Sequence, residues 1–423
     1  MFKTLRNAWS IPDLRKKMLY TLLMIFVFRL GSFIPVPGVN ADALAQLVDG
    51  SSLFGMLNAF SGGAFSQATI FAMSITPYIN SSIILQLLTV AIPALERLSK
   101  EGEEGRKVIA KWTRIVTIIL AFIQATGLYF GIRNAVIDPN PMSYITIVTT
   151  FTAGTAFLMW LGEQITQKGV GNGISIIIFS GIVAGLPTMF GSLWVSFYEL
   201  DAIPWWVFAL VVAFFIAMIA FVVFITDAER RVPVQYAKRM VGRKMYGGQS
   251  THIPLKVAMA GVIPIIFAMS ILSFPSTIIQ FMGANPTGFW GKFWSFFTPQ
   301  SWVYVVIYFL LIIFFTYFYT AIQFNPVEVS NNMKKNGGFI PGIRPGKPTS
   351  DFISRILSKI TLAGAFFLGV VAVIPLVIGI VYPQLSGIQI GGSSLLIMVG
   401  VALETVKQIE SQMLMRHYKG FLD

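Results

Sequence analysis

Long apolar runs alternate along this chain with short joints rich in polar residues, glycine and proline. Ten runs approach the roughly 20 residues that an α-helix needs to cross a hydrocarbon core. They are residues 18–34, 73–94, 112–132, 144–161, 174–195, 203–225, 255–281, 302–322, 360–381 and 395–415. The pattern predicts an all-α polytopic membrane protein. Two stretches fall outside it. Residues 1–17, MFKTLRNAWSIPDLRKK, are basic and amphipathic and predict an interfacial helix. The segment NAFSGGAFSQATIF, starting at Asn58, is apolar yet too short and too broken by glycine and serine to span.

Composition agrees with the pattern. The chain has 423 residues and a mean hydropathy of +0.73, with 55% hydrophobic and only 12% charged residues. A water-soluble domain carries about twice that charge fraction. There is no cysteine, which excludes disulfides, thiol catalysis and cysteine-based metal sites. Only His252 and His417 offer imidazole, which argues against a His-rich metal site. The first apolar run follows its basic leader without a small-residue cleavage site, so no removable signal peptide is expected.

Charge sets the expected orientation. Of 31 Lys and Arg residues, 28 lie at the N-terminus, after runs two, four, six and eight, or at the C-terminal end, including the tail 416–423. The positive-inside rule places that side, with both termini, in the cytoplasm. Ten spans divide into halves of five, 18–195 and 203–415. An odd number per half makes the second half start on the opposite side, which permits an inverted repeat.

Two joints on the basic side are long: residues 226–254 and 323–359. Loops beyond about 12–15 residues are usually functional or disordered. The GGFIPGIRPG stretch reads as successive tight turns that hold Arg344 at a tip. Such loops could rest on anionic lipid headgroups, or dock a soluble partner through arginine forks suited to carboxylate or phosphate.

The apolar runs hold few ionisable groups. Arg29 reads as mid-span in the first run, Glu163 lies near a run end, and Glu404 lies within the tenth. No HExxH, GxSxG or P-loop pattern occurs, and no enzyme activity or cofactor is expected. The polar residues within runs are mostly uncharged, among them Thr76, Asn80, Ser81, Ser82, Gln86 and Gln124. Such groups bond across helix interfaces for roughly 1 kcal/mol each, and a seam held by a few of them can open. The layout alone also allows a secondary transporter or a non-transporting scaffold, although scarce intramembrane charge speaks against the first.

The stretches AFSGGAFSQATIFAMSITPYINSSIILQLL, GVGNGISIIIFSGIVAGLP, RRVPVQYAKRMVGRKMYGGQSTHIPLKVAMAGVIPIIFAMSIL and NNMKKNGGFIPGIRPGKPT together resemble the SecY family. Members form the central subunit of the bacterial protein-conducting channel. The likeness runs over essentially the whole chain. It implies a clamshell of two inverted five-helix halves around an hourglass pore in the bacterial cytoplasmic membrane. A lateral gate would open between spans two and three on one side and seven and eight on the other. Position by position, it implies an apolar constriction ring of Ile75, Ile79, Ile178, Ile266 and Ile397, with Ser270 as a further, more polar member. Such a collar gates by dewetting. Gln86, with Asn80, resembles the polar gate lining. Arg344 resembles the loop-tip arginine coupled to the SecA motor. Arg243 and Lys244 resemble the basic tip that meets SecA and the ribosome, with Lys244 where relatives often carry Arg.

Within residues 52–65, Phe54, Met56, Leu57, Phe60 and Phe65 fit a re-entrant helix over about 52–60, followed by Ser61 and a Gly62–Gly63 hinge. By resemblance this segment is the plug that seals the pore. The family also implies SecE, SecG and SecA, the ribosome with its RNA, and signal peptides with nascent chains as partners. It admits anionic lipids and a homodimer as well.

Overall fold

A computed structural model describes residues 2–50, 58, 61–198, 204–236, 239–241, 244–246, 250–282, 296–298, 301–381 and 392–419. In chain order these form α1 (Phe2–Trp9), α2 (Pro12–Gly31), α3 (Ala41–Gly50), α4 (Thr76–Ala91), α5 (Pro93–Lys100), α6 (Glu103–Gly131), α7 (Pro141–Lys168), α8 (Gly173–Tyr198) and α9 (Trp205–Asp227). Strands β1 (Glu229–Tyr236), β2 (Arg239–Val241), β3 (Lys244–Tyr246) and β4 (Ser250–Lys256) follow. The rest are α10 (Ile263–Met282), α11 (Trp302–Gln323), α12 (Pro326–Lys335), β5 (Gly338–Phe339), α13 (Lys347–Val381) and α14 (Gly392–Lys419). A helix thus occupies each of the ten apolar runs. Helices α6, α7, α9, α11 and α13 are each long and apolar enough to cross a membrane, and the bent α4–α5 pair makes a sixth candidate. The protein is a multi-pass membrane protein.

The helices pack as two groups. In the first, α6 packs on α4 and α7, and α7 on α2 and α8; in the second, α13 packs on α11 and α14, and α11 on α10. Helix α10 crosses to meet α4 and α6, while α14 meets α8. Hydroxyls inside the helices are mostly satisfied by their own backbone. Thr316 donates to the Ile312 carbonyl at 2.6 Å and Thr320 to the Thr316 carbonyl at 2.7 Å. This removes the cost of a buried hydroxyl without a partner helix.

Several boundaries differ from the sequence pattern, each for a local reason. The 1–17 segment is not one interfacial helix: α1 stops at Trp9, and Pro12 opens α2 at a position where its missing N–H costs nothing. Arg29 therefore falls in the last turn of α2 rather than mid-span, where a cation complements the helix dipole. The second span starts at Thr76 and bends by 102° between α4 and α5. Ile92 precedes Pro93 and is driven to extended backbone, with φ −107° and ψ 113°. The joint expected to reach 359 ends at 346, because KPTSDFISRILSK already belongs to α13. Thr349, Ser350, Ile353 and Leu357 form its buried face there. At 1.5 Å per residue, 35 residues span roughly 50 Å, well beyond a hydrocarbon core.

The two long joints are one folded unit. Strand β1 pairs antiparallel with β4 on one edge and with β5 on the other, in the order β4-β1-β5. Beneath the sheet, Val232, Val234, Leu255, Met333, Ile340 and Ile353 share a buried cluster. Helix α12 starts under Asn325, whose Oδ1 accepts from the Val327 and Glu328 amides at 3.1 and 3.4 Å.

Candidate functional site

The five isoleucines Ile75, Ile79, Ile178, Ile266 and Ile397 lie in one apolar cluster at the meeting of the two helix groups. Ile75 precedes α4 and Ile79 sits in its first turn. Ile266 lies in the first turn of α10, and Ile178 and Ile397 in the second turns of α8 and α14. Four helix starts therefore converge on one point. Ile75, Ile178 and Ile397 are buried, while Ile79 and Ile266 are half-buried. Phe71, Ile177, Val262 and Val401 belong to the same cluster and were not singled out by the sequence. Their apolar character is common to every span, so no signal marked them. Ser270 is buried one turn beyond Ile266, and its carbonyl accepts from the Ser273 hydroxyl at 2.6 Å.

Just before α4 the chain is a run of turns wedged into the first group. Phe71 stacks between Phe28 and Phe157, with ring centroids 5.9 and 6.0 Å away. Gly31 and Gly154 make room for it, since a Cβ there would meet a Phe71 ring atom at 2.1 Å or the Ile70 carbonyl oxygen at 2.0 Å. The Val36 amide donates to the Ala68 carbonyl at 2.8 Å and the Ile70 amide to the Ile34 carbonyl at 3.0 Å. Upstream, Gly62 and Gly63 adopt φ +65° and +88°, the left-handed region that glycine enters freely. A Cβ on Gly62 would also strike the Gly181 carbonyl oxygen of α8 at 2.7 Å. Asn58 and Ser61 are helical, and Phe65 is buried. Phe54, Met56, Leu57 and Phe60 lie outside the described residues.

At the seam, the Ser81 hydroxyl donates to the Thr113 carbonyl at 2.8 Å and so ties α4 to α6 within the first group. Asn80 is buried and Gln86 half-buried. Neither Asn80 Oδ1 nor Gln86 Oε1, both shielded from solvent, has a hydrogen-bond partner. Two unpaired carbonyl oxygens on the helix that meets α10 cost this arrangement of order 1–3 kcal/mol each. Ile83, on the same helix, packs into the second group's core with Ile265 and Phe267.

On the face that carries the sheet, Arg344 is exposed between Gly342 (φ +81°) and Gly346 (φ +102°), where two tight turns place it. The Thr349 hydroxyl donates to the Arg344 carbonyl and the Ser330 hydroxyl to the Gly346 carbonyl, each at 2.8 Å. These bonds fix the turn to α12 and α13. Lys244 begins β3 and pairs with Val241; Arg243 lies outside the described residues. Ion pairs join neighbouring helices. Arg114 Nε meets Glu163 Oε1 at 2.7 Å, and Lys407 Nζ meets Asp227 Oδ1 at 2.5 Å. Glu404 is exposed on α14. Among the described residues no group of three His, Asp or Glu side chains could hold a metal.

Two groups of helices closing on an apolar waist, with turns wedged beside it, define the fold of a protein-conducting channel. Solved structures agree. A SecY channel studied for a plug domain that stabilises its closed state and maintains a membrane seal aligns with TM-score 0.69 at 17% identity, over 94% of this chain and 92% of that one. Sec61 in the canine ribosome–channel complex aligns with TM-score 0.63 at 16% identity, over the same shares. The family model described as SecY matches residues 69–406. The protein translocase subunit SecY of Halalkalibacterium halodurans is 50% identical over 436 residues, and that of Streptomyces scabiei 48% over 442, with each chain fully covered. The chain belongs to the SecY family.

Proposed function

We propose that the chain is the pore subunit of a channel that moves unfolded secretory polypeptides across the bacterial cytoplasmic membrane and releases transmembrane segments sideways into lipid. Both termini and the β4-β1-β5 platform face the cytoplasm. The halves are residues 18–195 and 203–415, with the platform built from the joints at 226–254 and 323–346. One observation carries this reading: five isoleucines from four helices of both groups close on a single apolar point. An aliphatic collar binds water and ions poorly, so it seals by dewetting. It can also part around a passing chain without breaking hydrogen bonds. Ser270 adds a more polar member beside it.

The segment 52–65 is the plug, and Asn80 and Gln86 line the lateral gate, where an entering signal peptide can meet their unpaired oxygens. The chain is a conduit rather than an enzyme. Its driving force comes from an ATPase of the SecA kind or from a translating ribosome, docked on Arg344 and on the tip bearing Arg243 and Lys244. The structural neighbour seen in a ribosome–channel complex supports the ribosomal arm. SecE and SecG complete the assembly, anionic lipid surrounds it, and a second copy could pair with it.

The test is reconstitution. Proteoliposomes holding the chain with its small subunits should import a secretory precursor only when SecA and ATP are supplied. Import of a small solute without SecA, and none of the precursor, would contradict the reading.

A further inference from the structure

Helix α14 belongs to the second group, yet the end remote from its waist residue is held by the first. Ile409 lies roughly 18 Å along α14 from Ile397. With Met413 it shares an apolar cluster with Ala8 of α1, Ile11 and Leu14 of the α1–α2 corner, and Val170 of the joint between α7 and α8. Ala8, Leu14, Val170 and Ile409 are all buried. Helix α1 accordingly packs on both α2 and α14.

The local chemistry explains why the chain turns back there. The Ser10 hydroxyl donates to the Asn7 carbonyl at 2.6 Å and the Ile11 amide to the Ala8 carbonyl at 3.1 Å, which closes α1. Pro12 then holds Ile11 in extended backbone, with φ −89° and ψ 115°. Alanine at position 8, with nothing beyond Cβ, lets α1 lie close to its neighbours. Thr21 Oγ1 accepts from the Val170 amide and donates to the Lys17 carbonyl, each at 3.0 Å, so the 169–171 joint is pinned to α2. Gly171, at φ +85°, brings that joint against α14, where a Cβ would meet Thr405 Oγ1 at 3.2 Å. Lys17 Nζ donates to Gln412 Oε1 at 3.3 Å. This junction between the groups therefore pairs its polar atoms, whereas α4 meets α10 with the Asn80 and Gln86 oxygens unpaired.

We infer that the α1–α2 corner and Val170 form a strap that sets the tilt of α14 and so positions Ile397 in the waist. Helix α14 runs from Gly392 to Lys419 without a proline, so a shift at Ile409 is carried along its axis rather than absorbed at a kink. Ala8, Leu14 and Val170 are positioning residues: they lie outside the waist cluster and act through Ile409. The inference rests on the reading of the waist as the pore constriction. It gives the N-terminal segment a task beyond lying at the membrane interface.

The full chain with its small subunits, in planar bilayers, tests the strap by resting ion conductance. Leu14→Ala and Ile409→Ala should each raise it several-fold, and Val170→Ala, the mildest of the three, should act in the same direction. The volume-conserving Leu14→Met and Ile409→Leu should stay near the parent. The decisive variant joins the strap again by a covalent link. With cysteines at Ala8 and Ile409 in the Leu14→Ala chain, a short bis-maleimide should return the conductance to the parent level, which repair of a general folding defect would not do. Ile266→Gly serves as the leaking reference. If that reference leaks while Leu14→Ala, Ile409→Ala and Val170→Ala are as tight as the parent, the strap is wrong and the waist stands. A link between positions 8 and 409 that forms but leaves the leak unchanged would also overturn the strap. A tight Ile266→Gly chain would overturn the waist reading and the strap with it.

Discussion

Gln235 pairs with Phe339 across an antiparallel ladder, and through this pairing two joints far apart in the chain become one platform. Val234, beside Gln235 on β1, is fully buried beneath it. A change at the root of one joint should therefore disturb the other.

Val234→Asp places a carboxylate in the cluster with Met333 and Ile353. The platform should lose its fold, because an unpaired buried charge costs several kcal/mol. Val234→Ala should cost only about 2 kcal/mol. Limited proteolysis from the side that carries the sheet checks this: cleavage near both 240 and 340 is expected for the aspartate variant. Cleavage confined to the first joint would show that the two are independent.

This union was only partly legible in the sequence. The alternation of Val232 and Val234 between exposed neighbours is a strand signal, but it is short and carries Pro233, which argues against a strand interior. Its edge partner β5 is two residues long, below what periodicity can register. The spans themselves were legible because apolar length is a strong signal. The start of α13 was not, since its basic, serine-rich first turns look like loop until their buried face is known. The five isoleucines were singled out through family resemblance alone, because nothing distinguishes them by composition from any other isoleucine in a span. The bond by which Asn58 Oδ1 accepts from the Ser66 amide was not legible, since it depends on the turn that Gly62 and Gly63 make.

Arg344→Glu should abolish SecA-driven translocation while the chain still inserts and assembles. The side chain is exposed, and the turn is held by the Arg344 carbonyl rather than by the guanidinium, so the fold has no need of that charge. Translocation assays beside assembly measured on native gels separate the two outcomes. Normal translocation would remove Arg344 from coupling.

The Arg114–Glu163 pair joins α6 and α7 at partly exposed positions. Either single neutralisation, Arg114→Gln or Glu163→Gln, should lower stability by less than about 1 kcal/mol. The double variant should cost less than the sum of the two, which thermal melts in detergent can measure as a coupling energy.

Ile79→Gly or Ile266→Gly opens the waist from its half-buried side. Resting ion conductance should rise for each, and an unchanged seal would take that residue out of the ring. Ile263, half-buried near the start of α10 and packed on the second group's core, is the control and should stay tight when changed to Val.

The central claim is that a polypeptide passes through the waist. The chain has no native cysteine, so a single one can be placed at Ile79 or Ile266, and as a control at Phe224, which is 72% exposed on the outer face of α9. A secretory precursor stalled in mid-passage, carrying one cysteine in its translocating region, then reports its surroundings by disulfide formation. The account predicts crosslinks to positions 79 and 266 and none to 224. Crosslinks to 224 without any at the waist would contradict it.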